Sequence, residues 1–158
     1  MRWIWIDRFT HFESRKTATA VKNLSMAEDH FQEHFPGFPV MPAPLILEGL
    51  AQTGGILVGE ANDFKLNVVL AKIPKATFFR EACPGETLEY TTEILNLADE
   101  GAAVKGTVTS NGEAVAEAEI FFAHVDAARS IALFGASSFV FDGELKYLLM
   151  NAKRAQPV

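Results

Sequence analysis

Four prolines and a glycine fall between residues 36 and 44, in the run Pro36-Gly37-Phe38-Pro39-Val40-Met41-Pro42-Ala43-Pro44. Proline at this density removes backbone donors and locks φ, so neither a regular helix nor a central strand passes through the stretch. The chain must make an ordered loop here. Directly behind it, Leu45-Ile46-Leu47-Glu48-Gly49-Leu50-Ala51-Gln52-Thr53-Gly54-Gly55-Ile56-Leu57-Val58-Gly59-Glu60 reads as helix. Pro44 suits its first turn, where a missing N–H costs nothing. Apolar residues fall on every face of this helix, so other elements have to enclose it. Gly54-Gly55 would let a neighbour approach closely, at a helix-propensity cost of about 1 kcal/mol each.

The rest of the chain supplies strands to do the enclosing. Residues 3–11 and 15–23 alternate polar and apolar around Glu13-Ser14 and predict a hairpin. Ser25-Met26-Ala27-Glu28 has capping-box form and opens a short helical turn through Asp29 and His30. After the helix, strand-like runs at 66–73, 75–80, 86–97, 102–110 and 113–124 are divided by Pro84-Gly85-Glu86, Asp99-Glu100-Gly101 and Asn111-Gly112. The last pair is a strong hairpin signal. Successive hairpins make an antiparallel sheet whose apolar face needs the one long helix, which is an α+β architecture. Ile131 to Phe141 is expected to add a strand, and Glu144 to Arg154 a terminal helix.

A length of 158 residues fits one domain, read here as 1–125 with a C-terminal extension of the same domain over 126–158. Hydrophobic residues at 49% and charged ones at 22% are a globular balance, against disorder or fibrous structure. The net charge of −6 argues against general attraction to nucleic acid or anionic membrane. Cys83 stands alone, so no internal disulfide or zinc site is expected. The apolar run Trp3-Ile4-Trp5-Ile6 is far short of a signal-peptide core, and no run reaches membrane-spanning length. A cytoplasmic setting without membrane insertion is expected.

Two residues stand out chemically. Glu48 is a carboxylate among Leu45, Ile46, Leu47, Leu50 and Ala51, and a glutamate desolvated in this way can stay protonated near neutral pH and act as a general acid. Gln52, at i+4, projects from the same helix face and is positioned to orient that carboxyl. His34 lies just before the proline-rich loop, whose rigid backbone can fix an imidazole that titrates near working pH. His30 and His34 are four apart, but Pro36-Gly37 breaks any helix that would align them and no metal is expected. An acid-capable Glu and a base-capable His together meet the demands of a dehydration. Their spacing alone leaves open whether they meet.

The run from His34-Phe35-Pro36-Gly37 to Glu48-Gly49-Leu50-Ala51-Gln52 resembles the signature of bacterial 3-hydroxyacyl-acyl-carrier-protein dehydratases. That pattern is His-Phe-Pro-Gly-x-Pro-x-x-Pro-Gly followed by an apolar stretch into Glu-Ala-x-Ala-Gln, with the same His-to-Glu spacing. Trp5-Ile6-Asp7-Arg8 is similar to the family's early strand and Cys83-Pro84-Gly85-Glu86 to its later Pro-Gly-Asp turn, so the resemblance spans about residues 3–124.

The resemblance implies the hotdog fold, an antiparallel sheet wrapped around one long helix. It also implies a dimeric double hotdog, a homodimer alone or as a trimer of dimers, with active sites at the interface. It assigns proton abstraction to His34 of one protomer and protonation of the 3-hydroxyl to Glu48 of the other. The backbone N–H of Ala43 would be the oxyanion donor and Gln52 an orienting group. The substrate would ride on the phosphopantetheine of acyl-carrier protein, with no other cofactor. Lys72, Lys75 and Arg80 are candidates to meet that carrier. Ala43-Pro44 replaces the family's usual Gly-Val, which would distort the oxyanion site if the glycine needs positive φ. Gly49 replaces a frequent alanine. Two readings remain beside dehydration: a hotdog acyl thioesterase, and a non-catalytic module that binds acylated carrier protein.

Overall fold

The computed structural model describes residues 3–137 together with Tyr147, Leu148 and Met150. The order of elements is β1 (Arg8–Glu13), β2 (Thr17–Asn23), α1 (His30–Glu33), α2 (Ala43–Ala61), β3 (Asn67–Phe78), β4 (Thr87–Ala98), β5 (Gly101–Ser110), β6 (Glu113–Val125) and α3 (Ala127–Phe134). All strand pairs are antiparallel, in one six-stranded sheet of order β1-β2-β4-β5-β6-β3. The sheet packs on α2 through β2, β3, β4, β5 and β6.

Enclosure of α2 follows from its sequence. From Gly49 to Gly59 every residue except the half-buried Ala51 is buried. Leu50, Ile56, Leu57 and Val58 join Leu88, Tyr90, Val104, Val108 and Ile120 of the sheet in one core. A fully buried side chain such as Leu50 stabilises by about 1.5–3 kcal/mol relative to exposure. The first turns differ: Ala43 and Pro44 are exposed, and Leu45, Leu47, Glu48 and Ala51 are only half-buried.

Small residues set how close helix and sheet come. An added Cβ at Gly49 would lie 2.5 Å from Cζ of Tyr90 on β4, and one at Gly106 of β5 would lie 2.8 Å from Leu50 Cδ2. Gly54 is less tight, at 3.3 Å from Val104 and Phe122. Gly49, where the resemblance would put alanine, is therefore the partner of a large ring rather than a neutral change.

Several sequence expectations hold and others are corrected. Asn111 and Gly112 both take positive φ, at 52° and 81°, and join β5 to β6 as a tight hairpin. The N-terminal hairpin is present, but its first strand starts at Arg8 rather than residue 3. The runs at 66–73 and 75–80 are one strand, β3, which accommodates Pro74 because it lies at the sheet edge and shifts register between Leu70, Lys72 and Lys75. Residues 131–134, expected as strand, close helix α3: Asp126 accepts the Arg129 N–H at 2.8 Å and Gly135 ends the helix with φ 75°. Capping at both ends outweighed the local apolar pattern. The remainder of that expected strand lies outside the described residues, as does most of the expected helix at 144–154, of which Tyr147, Leu148 and Met150 are helical. No helix among the described residues is long and apolar enough to cross a membrane.

Gly49→Ala should lower the thermal midpoint, because overpacking of about 1–3 kcal/mol outweighs the gain of about 1 kcal/mol in helix propensity. In a Tyr90→Leu background the same substitution should be neutral or stabilising, a sign reversal that a double-mutant cycle of melting curves measures. An unchanged or raised midpoint for Gly49→Ala alone would contradict the ring contact.

Candidate active site

The carboxyl of Glu48, on the second turn of α2, is held from two directions. Its Oε1 accepts the Gln52 amide N–H at 2.9 Å and the Trp3 indole N–H at 3.1 Å. Gln52 is itself fully engaged: its Oε1 accepts the Trp5 backbone N–H at 2.8 Å and its Nε2 donates to the Trp3 carbonyl at 3.0 Å. Only one orientation of the amide satisfies both backbone groups, so the second Nε2 hydrogen is directed at Glu48. The N-terminal segment thus reaches across to α2 and fixes the Gln52–Glu48 pair expected from their i+4 spacing.

His34 follows α1, and its backbone sits in a closed loop. The His34 carbonyl accepts the Val40 N–H at 2.9 Å, while Phe35 and Phe38 exchange backbone bonds at 3.0 and 2.9 Å. Gly37 provides the required positive φ of 79°. The His34 ring is half-buried and lies 4.0 Å from the Phe35 ring, centroid to centroid. The loop is then tied to the β3–β4 connection by the Met41 N–H donating to Ala82 O at 2.7 Å. Val40 and Met41 are buried, so the chain enters α2 from a fixed position.

Pro42 caps α2, its carbonyl accepting from Leu45 at 2.9 Å and Ile46 at 3.3 Å. Ala43 is the first helical residue. An N–H at this position has no acceptor within the helix, and the helix dipole places partial positive charge there. Ala43 is not among the residues with positive φ, so alanine carries no backbone strain and keeps the donor. Proline at position 44 removes an N–H one residue further on, not the one at issue.

No hydrogen bond or ion pair joins His34 to Glu48 within the described residues of one chain. Nor do three His, Cys, Asp or Glu side chains converge among them as a metal site would need. Lys72 and Lys75 are exposed on β3, with Lys72 Nζ 4.8 Å from the centroid of the Phe121 ring. Arg80 is different: its guanidinium pairs with Glu86 at 2.8 Å, approaches Glu113 at 3.5 Å and donates to the Glu81 carbonyl.

Sequence reasoning missed Trp3 and Trp5. The sequence places both in the first strand of a hairpin, and nothing local indicates that this run meets α2. Behind them, Trp5 packs on His30, centroids 5.3 Å apart, and Lys22 is buried against Glu28 at 2.6 Å. A cavity of about 800 Å³ opens beside them, lined by Trp5, Asp7, Glu28, His30 and Leu148 among others. It is not lined by His34, Ala43 or Glu48.

A family profile described as FabA-like domain matches residues 3–119. The 3-hydroxyacyl-acyl-carrier-protein dehydratase FabZ of Oceanobacillus iheyensis is 40% identical over 122 residues, covering 77% of this chain and 87% of that protein. Its counterpart from Listeria monocytogenes is 40% identical over 126 residues, covering 78% and 87%. Among solved structures, a Streptococcus mutans protein bound to acetyl CoA superposes with a TM-score of 0.63 at 16% identity, covering 79% of this chain and 93% of that one. The dehydratase heterocomplex ApeI:P from Xenorhabdus doucetiae gives a TM-score of 0.60 at 18% identity, covering 78% and 99%. These neighbours establish the hotdog fold.

The cluster behind the site has a pH signature. Burial, opposed in part by the charge of Glu28, holds the His30 imidazole below its ordinary value, and its Nε2 is buried without a partner. The unfolded chain therefore takes up this proton first. The contribution to stability is complete above about pH 6.5 and is lost as pH falls below it. His30→Phe should flatten the thermal midpoint between about pH 6.5 and 5, measured by melting curves across that range. An equal slope in both proteins would refute the assignment.

Proposed function

This chain belongs to the FabA-like family and dehydrates 3-hydroxyacyl chains on acyl-carrier protein, and we propose that His34 and Glu48 are its base and acid. The observation that carries the assignment is the Glu48 carboxyl, fixed by Gln52 at 2.9 Å on the helix whose first N–H is that of Ala43. His34 takes the proton from C2 of the thioester. The electron pair moves onto the thioester oxygen, where the Ala43 N–H and the helix N-terminus stabilise the charge. As that pair returns to form the C2–C3 double bond, the C3–O bond breaks and Glu48 protonates the departing hydroxyl. Water and a trans-2-enoyl thioester leave. The proton on His34 then passes through solvent to Glu48 and resets the pair.

The two residues would come from different protomers of a homodimer. Two observations support this. Among the described residues no hydrogen bond or ion pair joins His34 to Glu48, and Leu45, Leu47 and Ala51 around Glu48 are left half-covered. In addition, β3 is a long edge strand flanked by exposed Leu70, Phe78, Phe79 and Phe121, the kind of edge and apolar patch that pairs with a second copy. Lys72 and Lys75 on the same strand would meet the acidic carrier protein. Arg80, occupied by Glu86, would contribute less.

With a 3-hydroxyacyl-carrier thioester, the protein should form the enoyl product and hydrate it in reverse. His34→Ala and Glu48→Gln should each lower kcat/KM by about 10²–10⁴-fold. Equimolar mixing of the two inactive variants, with subunit exchange, should restore about a quarter of the activity. Half the dimers are then mixed, each with one intact site of two. No recovery would rule out sites shared between protomers, and release of free thiol would point to a thioesterase.

A further inference from the structure

We propose that Trp3 is a positioning residue for the acid step: its indole N–H and the Gln52 amide together occupy one oxygen of Glu48, so that the other carries the proton delivered to substrate. The inference rests on the assignment of Glu48 as the acid. Both donors reach the same atom, Oε1, at 3.1 and 2.9 Å. A neutral carboxyl has one carbonyl oxygen that accepts and one hydroxyl oxygen that donates. The oxygen already receiving two N–H groups is the acceptor. The proton therefore resides on Oε2.

The same arrangement favours the reaction. When Glu48 gives up its proton, negative charge spreads over both oxygens and the two hydrogen bonds become charge-assisted. They strengthen along the reaction coordinate, which is the condition for lowering a barrier rather than merely binding. Both donors are neutral, so they aim the carboxyl without placing a fixed cation beside it.

Trp3 is placed well enough to do this. Trp3 is itself 58% exposed, and its ring is held by an edge contact at 5.6 Å and 87° with Trp5, which is 2% exposed. Its carbonyl anchors Gln52 at 3.0 Å, independently of the side chain. Removing the indole N–H thus leaves the Gln52 bond and the chain path intact, which separates positioning of the acid from folding of the segment.

The test replaces Trp3 with phenylalanine and, separately, with 3-benzothienylalanine, which keeps the bicyclic shape but has sulfur in place of N–H. For both, kcat for dehydration should fall roughly tenfold, the size expected for one hydrogen bond to a charged acceptor, with KM and the thermal midpoint little changed. In a Glu48→Gln background neither replacement should cost anything further. Natural kcat in the benzothienyl variant would overturn the role of Trp3 even if Glu48→Gln is inactive. An active Glu48→Gln would instead overturn the acid assignment on which it stands.

Discussion

A carboxylate has been placed on a helix that must otherwise be hidden, and the structure is arranged around that requirement. Helix α2 is apolar on all sides, so the sheet wraps it from Gly49 onward. Wrapping is close because Gly49 and Gly106 give way to Tyr90 and Leu50. Glu48 sits one residue before this enclosure begins. It is therefore near enough to the core to be held and far enough out to stay half-buried.

What holds it is a polar bridge between parts of the chain remote in sequence. Gln52 is anchored by the backbone of Trp3 and Trp5, so its amide has no freedom to turn away from Glu48. A buried amide with every donor and acceptor satisfied is rigid, and rigidity here passes directly to the carboxyl. At the other end, the proline-rich loop is clamped by its own backbone bonds and by Ala82, which fixes both His34 and the start of α2. Ala43 then opens α2 with ordinary helical backbone, outside the positive-φ region.

The strands and the central helix were legible because their patterns are local: alternation, the Asn111-Gly112 turn and a proline suited to a first helical turn. Errors came where tertiary context overrode a local signal. Pro74 interrupts the local strand pattern, yet an edge position leaves its missing donor without consequence. Residues 131–134 read as strand but form the end of a helix capped by Asp126 and Gly135. At the site, Glu48 and Gln52 were recognisable because i+4 spacing on a helix is geometry that sequence encodes.

By itself, the sequence determined that a rigid loop must precede an enclosed helix, that strands must do the enclosing, and that Glu48 and Gln52 share a face. It also carried the His34-to-Gln52 signature of the family. Only the tertiary structure decided that Trp3 and Trp5 close on that pair, that Ala43 keeps ordinary dihedrals, and that Gly49 is matched to Tyr90. The physical reason is one of distance along the chain. A hydrogen bond between residues 3 and 48 or a ring above residue 49 depends on how separate elements dock, and no local pattern of residues specifies that.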